Sequence, residues 1–151
     1  MSISAPGKVH IVCGQCGSVV RLPVERLGEA PRCPSCRSAL FAGTPVTLTT
    51  TNFDKHLSRT ELPLVVDFWA PWCGPCLAMA PFFAAAAQQM EPGLRFAKVN
   101  TEENPAPAAR FHIRSIPTLL VFLQGKEIAR HSGAMDAAAL TRWLRSVLPA
   151  K

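Results

Sequence analysis

From residue 45 onward, apolar stretches alternate with short polar breaks and divide the chain into a regular series of strands and helices. The run Leu64-Val65-Val66-Asp67-Phe68-Trp69-Ala70 is apolar at every position but one, the pattern of a strand covered on both faces, and predicts a strand over 64–70. A strand at 46–49 and a helix near 53–59, with Asn52 as its N-cap, precede it. A long Ala-rich helix follows over 74–90, and Pro81 inside it should kink it. Next come a strand at 94–100, a short helix around 105–110, strands at 118–123 and 127–132 turning at Gln124-Gly125, and a last helix from Asp136 to Leu148. The order βαβαβαββα predicts an α/β fold, a central mixed sheet flanked by helices. Trp69, Phe82, Phe83, Phe111 and Phe122 read as core.

Strand 64–70 leads directly into Cys73-Gly74-Pro75-Cys76. Two residues between the thiols place both sulfurs on the first turn of the next helix, close enough to form a disulfide with little backbone movement. At that helix start, unpaired N–H groups and the helix dipole favour an anion, so Cys73 is the expected nucleophile. Cys76, one turn further in and shielded, is the expected resolving thiol. The C-x-x-C spacing alone also fits a zinc knuckle; the strand before it and the long helix after it favour redox chemistry. Pro75 is tolerated this early in a helix, and Gly74 lets another chain approach.

Asp67 is a lone carboxylate among bulky apolar neighbours. Burial should raise its pKa and suit it to accept a proton from Cys76 through water, unless the side chain points out from a strand edge.

The first 43 residues form a separate segment, with Gly43-Thr44-Pro45 as the junction; the expected division is 1–43 and 45–151. Cys13-Gly14-Gln15-Cys16 and Cys33-Pro34-Ser35-Cys36 are separated by sixteen residues, the spacing of a zinc ribbon. Each pair would form a turn presenting two sulfurs, and Val19–Arg32 would supply a short strand and a return. So small a segment is near the size at which a core alone rarely suffices, which makes structural Zn2+ a physical need. Gly17 can adopt the positive φ such a turn requires, whereas Arg37 occupies the matching place in the second turn, which is therefore expected to be less ideal. Arg32 and Arg37 would offset negative charge at the cluster. His10, His56, His112 and His131 share no ligand spacing and are expected at the surface, with His10 a zinc ligand only in place of a lost cysteine.

The motif Trp72-Cys73-Gly74-Pro75-Cys76, with Asp67, Trp69, Pro81, Lys98, Ile116-Pro117-Thr118, Gly125 and Gly133, resembles the thioredoxin family over residues 45–151. With the N-terminal cysteines, the chain resembles the zinc-containing subfamily of bacterial thioredoxins, thioredoxin 2. The resemblance implies that Lys98 lies beside Asp67 and modulates it; the residues alone leave a plain surface lysine equally open. It also implies that the Ile116-Pro117 bond is cis, where the ordinary expectation for an X-Pro bond is trans. Trp72, Gly74, Pro75, Ile116, Pro117, Gly133 and Ala134 would form an uncharged docking surface for varied disulfide-containing proteins. The implied activity is protein-disulfide reduction, with an NADPH-dependent thioredoxin reductase as electron donor and no organic cofactor bound. Leu77 departs from the Lys or Arg common in the family at that place, which bears on partner choice.

Composition narrows the alternatives. At 151 residues and 48% hydrophobic content the chain has room for one core and an appendage. The apolar stretch Leu77–Ala87 is too short to span a bilayer. The opening residues show no signal-peptide pattern, so the expected location is the cytoplasm, where six cysteines serve metal and redox chemistry. The formal charge of +6 falls to +4 once four thiolates and one Zn2+ contribute a net −2. A mildly basic surface favours acidic protein partners and does not point to nucleic acid or membrane. A monomer is expected. Rival readings are a disulfide oxidase or isomerase, a ribbon that serves as a partner-binding module, and a ribbon whose cysteines sense oxidation by releasing zinc.

Overall fold

The computed structural model describes residues 7–149. Two sheets organise it. The first is an antiparallel hairpin of β1 (Lys8–Val12) and β2 (Val19–Pro23), followed by a 3-10 turn at Val24–Glu29. The second sheet has five strands: β3 (Val46–Leu48), β4 (Leu64–Trp69), β5 (Arg95–Asn100), β6 (Thr118–Leu123) and β7 (Lys126–Ser132). Their spatial order is β3-β5-β4-β6-β7, with β3, β5 and β4 parallel and β6 and β7 antiparallel to the neighbours before them. Helices α1 (Phe53–Arg59), α2 (Gly74–Met90), α3 (Pro105–Arg110) and α4 (Ala137–Val147) connect and cover these strands.

Alternation along β4 sorts its side chains onto two faces. Leu64, Val66 and Phe68 pack with Phe53 and Leu57 of α1, with Phe111 at the margin. Val65 faces the other way, among Met79, Phe83 and Ala87 of α2 and Leu140 and Leu144 of α4. By the same alternation Asp67 belongs to the α2 face, so the one polar residue of β4 is carried beneath the helix that bears the thiols.

The predicted helices 53–59, 74–90 and 105–110 and strand 118–123 agree with the structure, and the other elements differ by one residue at one or both ends. Asp136 caps α4 by accepting the Ala139 N–H. Asn52 sits at the N-cap position of α1 without capping it; its Oδ1 instead accepts the Thr49 N–H. Phe82 is a correction: it lies on the solvent side of α2, exposed, while Phe83 takes the core position. His56 is another. Phe53, His56 and Leu57 stand on one helical stripe of α1, so packing that face on the sheet buries the imidazole as well. Burial, with Arg95 and Lys55 nearby, pulls its pKa down to about 4.

The hairpin segment packs against the place where β4 begins. The Glu61 N–H donates to His10 O, the Val12 N–H donates to Thr60 Oγ1, and Leu62 joins the cluster of Val9, Ile11, Val20, Leu22 and Leu40. The thiols of the C-x-x-C motif follow the opposite end of β4.

Candidate functional site

Helix α2 starts at the redox pair. Cys73 is its N-cap, with extended backbone, and Cys73 Sγ accepts the Cys76 N–H at 3.2 Å. The bond brings a free N–H of the first turn onto the sulfur, the local arrangement that stabilises a thiolate. Cys73 and Cys76 are joined as a disulfide with Cα atoms 5.2 Å apart. Both sulfur-bearing residues are enclosed, 5% and 2% exposed, whereas Trp72 beside them is 69% exposed. Gly74 has open space where a Cβ would stand, and Pro75 is exposed in the first turn. Helix α2 carries no charged side chain, and Leu77 is exposed on its outer face.

Two loops meet the thiols from the sheet side. The Ile116-Pro117 peptide bond is cis, and Ile116 O lies 3.8 Å from Cys73 Sγ. The Gly133 N–H donates to Pro117 O at 2.9 Å, which joins the end of β7 to the loop before β6. Gly133 has φ +106, a conformation that favours glycine, and Ala134 beside it is exposed. Thus Trp72, Gly74, Pro75, Ile116, Gly133 and Ala134 lie around one sulfur-centred surface, with Pro117 buried behind it. A second cis bond, Glu91-Pro92, lies past the end of α2; nothing in the sequence pattern singled it out.

Asp67 is 4% exposed, and its Oδ1 has no hydrogen-bond partner among the described residues. Burial pushes its pKa up to about 7, and attraction to Lys98 partly opposes the rise. Lys98 stands opposite Asp67 in the parallel β4/β5 pair, with Nζ 5.7 Å from the Trp69 ring centroid. Asp67, Trp69, Cys76, Leu77, Pro81 and Lys98 border a cavity of about 480 Å³, roomy enough for water beside the buried carboxyl. A group that titrates near neutrality is thereby placed next to the inner thiol.

The other four cysteines converge. The Sγ atoms of Cys13, Cys16, Cys33 and Cys36 all lie within 4.8 Å of one another, and no disulfide joins them. Cys13 and Cys36 are 3.7 Å apart and Cys16 and Cys33 3.6 Å, close to the edge of a tetrahedron with metal-sulfur bonds of about 2.3 Å. Each C-x-x-C turn is closed in the same way: the Cys13 and Cys33 N–H groups donate to Ser18 O and Ser38 O, and the Gly17 and Arg37 N–H groups donate back to Cys13 O and Cys33 O. The second turn keeps the geometry of the first, and its departure from the ideal lies in the residue that occupies the positive-φ position. Arg37 adopts φ +69, near the +79 of Gly17, and completes the same turn at the cost of a left-handed conformation. The donor set and its spacing fit a single thiophilic ion such as Zn2+. His10 is turned away from ligand duty, its Nδ1 lying 3.2 Å from Glu61 Oε1.

The thioredoxin family profile matches residues 44–146. Thioredoxin C-3 of Corynebacterium nephridii is 46% identical over 134 residues, 89% of this chain and 92% of that protein. Thioredoxin 1 of Nostoc sp. is 42% identical over 101 residues, 67% of this chain and 94% of that protein, and the thioredoxin of Porphyra purpurea is 39% identical over the same shares. The 134-residue likeness is longer than the chain beyond the Gly43–Pro45 junction, so it extends into the cysteine-bearing N-terminal segment.

Proposed function

From the premise that this chain belongs to the thioredoxin family, we propose that Cys73 and Cys76 are the dithiol that performs its disulfide reduction and that the four N-terminal cysteines hold a structural Zn2+. The protein is a protein-disulfide reductase that acts on disulfide substrates and is itself reduced by thioredoxin reductase. The observation that carries the residue assignment is the Cys73–Cys76 pair at the start of α2, with Ile116 O beside Cys73 Sγ.

In the reduced protein, the Cys73 thiolate attacks one sulfur of a target disulfide. A Cys73–target bond forms and the other target sulfur leaves as a thiolate. Cys76 then loses its proton to Asp67 by way of water in the adjoining cavity. Its thiolate attacks Cys73 Sγ, which closes the Cys73–Cys76 disulfide and releases the second target thiol. Two electrons have passed to the substrate. Lys98 favours the ionised Asp67 carboxylate before the proton arrives and so modulates the step. Ile116 offers backbone groups to an extended target strand, while Trp72, Gly74, Pro75, Pro117, Gly133 and Ala134 form the uncharged surface on which it rests.

Zn2+, when bound, would act as a cross-link for the ribbon, whose described residues share one small buried cluster with Leu62. The ribbon and the 134-residue likeness to Thioredoxin C-3 support placement in the thioredoxin 2 group, with residues 1–43 and 45–151 as its two units. Among the described residues no helix is long and apolar enough to cross a membrane. We place the protein in the cytoplasm as a monomer reduced by an NADPH-dependent reductase. The test is reduction of insulin disulfides, with NADPH consumption followed through a bacterial thioredoxin reductase. Wild-type turnover that is lost in both Cys73→Ser and Cys76→Ser supports the assignment; turnover that survives in Cys73→Ser overturns it.

A further inference from the structure

Arg95 opens β5 at the start of the sheet, against the hairpin segment, and is 2% exposed. Its Nη1 donates to Leu40 O, its guanidinium lies over the Phe41 ring at 5.0 Å, and its Nε has no partner among the described residues. A carbonyl and a ring hold the group in place but do not neutralise it. Among the described residues it makes no ion pair with a carboxylate. Glu91 attracts it without an ion pair: Glu91 Oε2 accepts the Phe96 N–H, and Oε1 has no partner among the described residues. A buried cation held by no ion pair is left short of compensating charge.

The ribbon would bring further negative charge close by. A Cβ added to Gly14, the residue after Cys13, would stand 3.2 Å from Arg95 Nη2 and 2.9 Å from Val46 Cγ2. The first cysteine turn is therefore seated with its backbone directly against the guanidinium, and only glycine leaves room for that approach. Four thiolates with one Zn2+ carry a net charge of −2, and Arg95 is a fixed positive charge that touches the turn holding the first of them.

We propose that Arg95 is the charge partner of the metal-thiolate cluster: a residue of the five-stranded sheet that raises the affinity of the ribbon for its metal from across the interface. The inference rests on the Zn2+ reading above and is independent of the thiol chemistry at Cys73. Arg95 acts as a positioning residue, through charge and through its contact with the Gly14 turn. The Lys side chain would keep the charge and lose the fork that reaches Leu40 O.

Zinc-loaded wild type, Arg95→Met, Arg95→Lys and Gly14→Ala are to be compared by competition with a chromogenic chelator, with folding of each checked by circular dichroism. Loss of a supporting group outside the ligand set weakens metal binding by about 10- to 100-fold, and that is the change expected for Arg95→Met, with Arg95→Lys much closer to wild type. A role in packing alone would harm the Met and Lys variants alike. Gly14→Ala, which displaces the turn while keeping the guanidinium, is expected to weaken zinc as well and decides the matter if Arg95→Met does not fold. Folded Arg95→Met, or in its place Gly14→Ala, that holds zinc as tightly as wild type overturns the proposal. A wild-type protein that takes up no zinc overturns it together with the metal reading, whereas zinc bound equally by wild type and Arg95→Met rejects this proposal alone.

Discussion

Asp67 on β4 stands directly across from Lys98 on β5, and the two share one cavity with Cys76. A carboxyl moved from its ordinary 3.8 to about 7 differs by about 4 kcal/mol between its two protonation states. The folded protein therefore binds this proton more tightly than the unfolded chain does. The sign follows: relative to a chain with an unperturbed carboxyl, stability is highest below pH 3.8 and is lost as pH rises through about 7. Asp67→Asn should thus be more stable than wild type at pH 8, by up to about 4 kcal/mol in denaturant unfolding, with the gain shrinking toward pH 4. The same variant should slow release of target from the mixed disulfide, because the proposed proton acceptor of Cys76 is then gone. Equal stability at pH 8 would contradict the burial argument.

His56 gives the opposite slope. Its pKa falls from 6.5 to about 4 in the folded protein, so the unfolded chain binds the proton more readily and stability declines as pH drops through 6.5 toward 4. His56→Leu should flatten that decline in urea midpoints measured from pH 7 to pH 4. An unchanged slope would show that the carboxylates account for the acid limb.

The two cysteine turns differ in what their left-handed position costs. Arg37 at φ +69 should be improved by glycine and Gly17 at φ +79 harmed by alanine, each by about 1 kcal/mol. Thermal unfolding of zinc-loaded Arg37→Gly and Gly17→Ala checks the pair, which should shift in opposite directions.

Metal content is a direct count. The convergence of Cys13, Cys16, Cys33 and Cys36 within 4.8 Å predicts one zinc per chain by elemental analysis. Removal by a chelator should unfold β1 and β2 while leaving the five-stranded sheet folded, as amide exchange of the two sheets would show. Protection of β1 and β2 that is unchanged without metal would mean that the cluster of Val9, Ile11 and Leu22 suffices by itself.

Much of this arrangement was legible in the residues. The apolar run of β4, the C-x-x-C at the start of a helix and the sixteen-residue gap between the N-terminal pairs each depend on local spacing, and the structure places them as expected. The cis form of Ile116-Pro117 was not local information; only the resemblance to a family pointed to it. The errors share a cause. Phe82 is apolar yet exposed because α2 buries Phe83 on its core face, and His56 is polar yet buried because it shares a stripe with Phe53 and Leu57. At both positions helical phase, not residue type, decides burial. Arg37 shows a turn imposing its conformation on a residue that does not favour it, stabilised by the Arg37 N–H to Cys33 O bond. The role of Arg95 was invisible in sequence, because a buried arginine at the start of a strand is explained only by the ribbon that closes over it.

Trapping separates the roles proposed for the two thiols, attack by Cys73 and resolution by Cys76. Reduced, zinc-loaded Cys76→Ser should be mixed with a disulfide-bonded protein, the remaining thiols alkylated, and the adduct mapped by peptide mass. A stable mixed disulfide on Cys73 is expected, with Cys13, Cys16, Cys33 and Cys36 free of target. A target attached to one of those four cysteines, or Cys73 alkylated and without target, would contradict it.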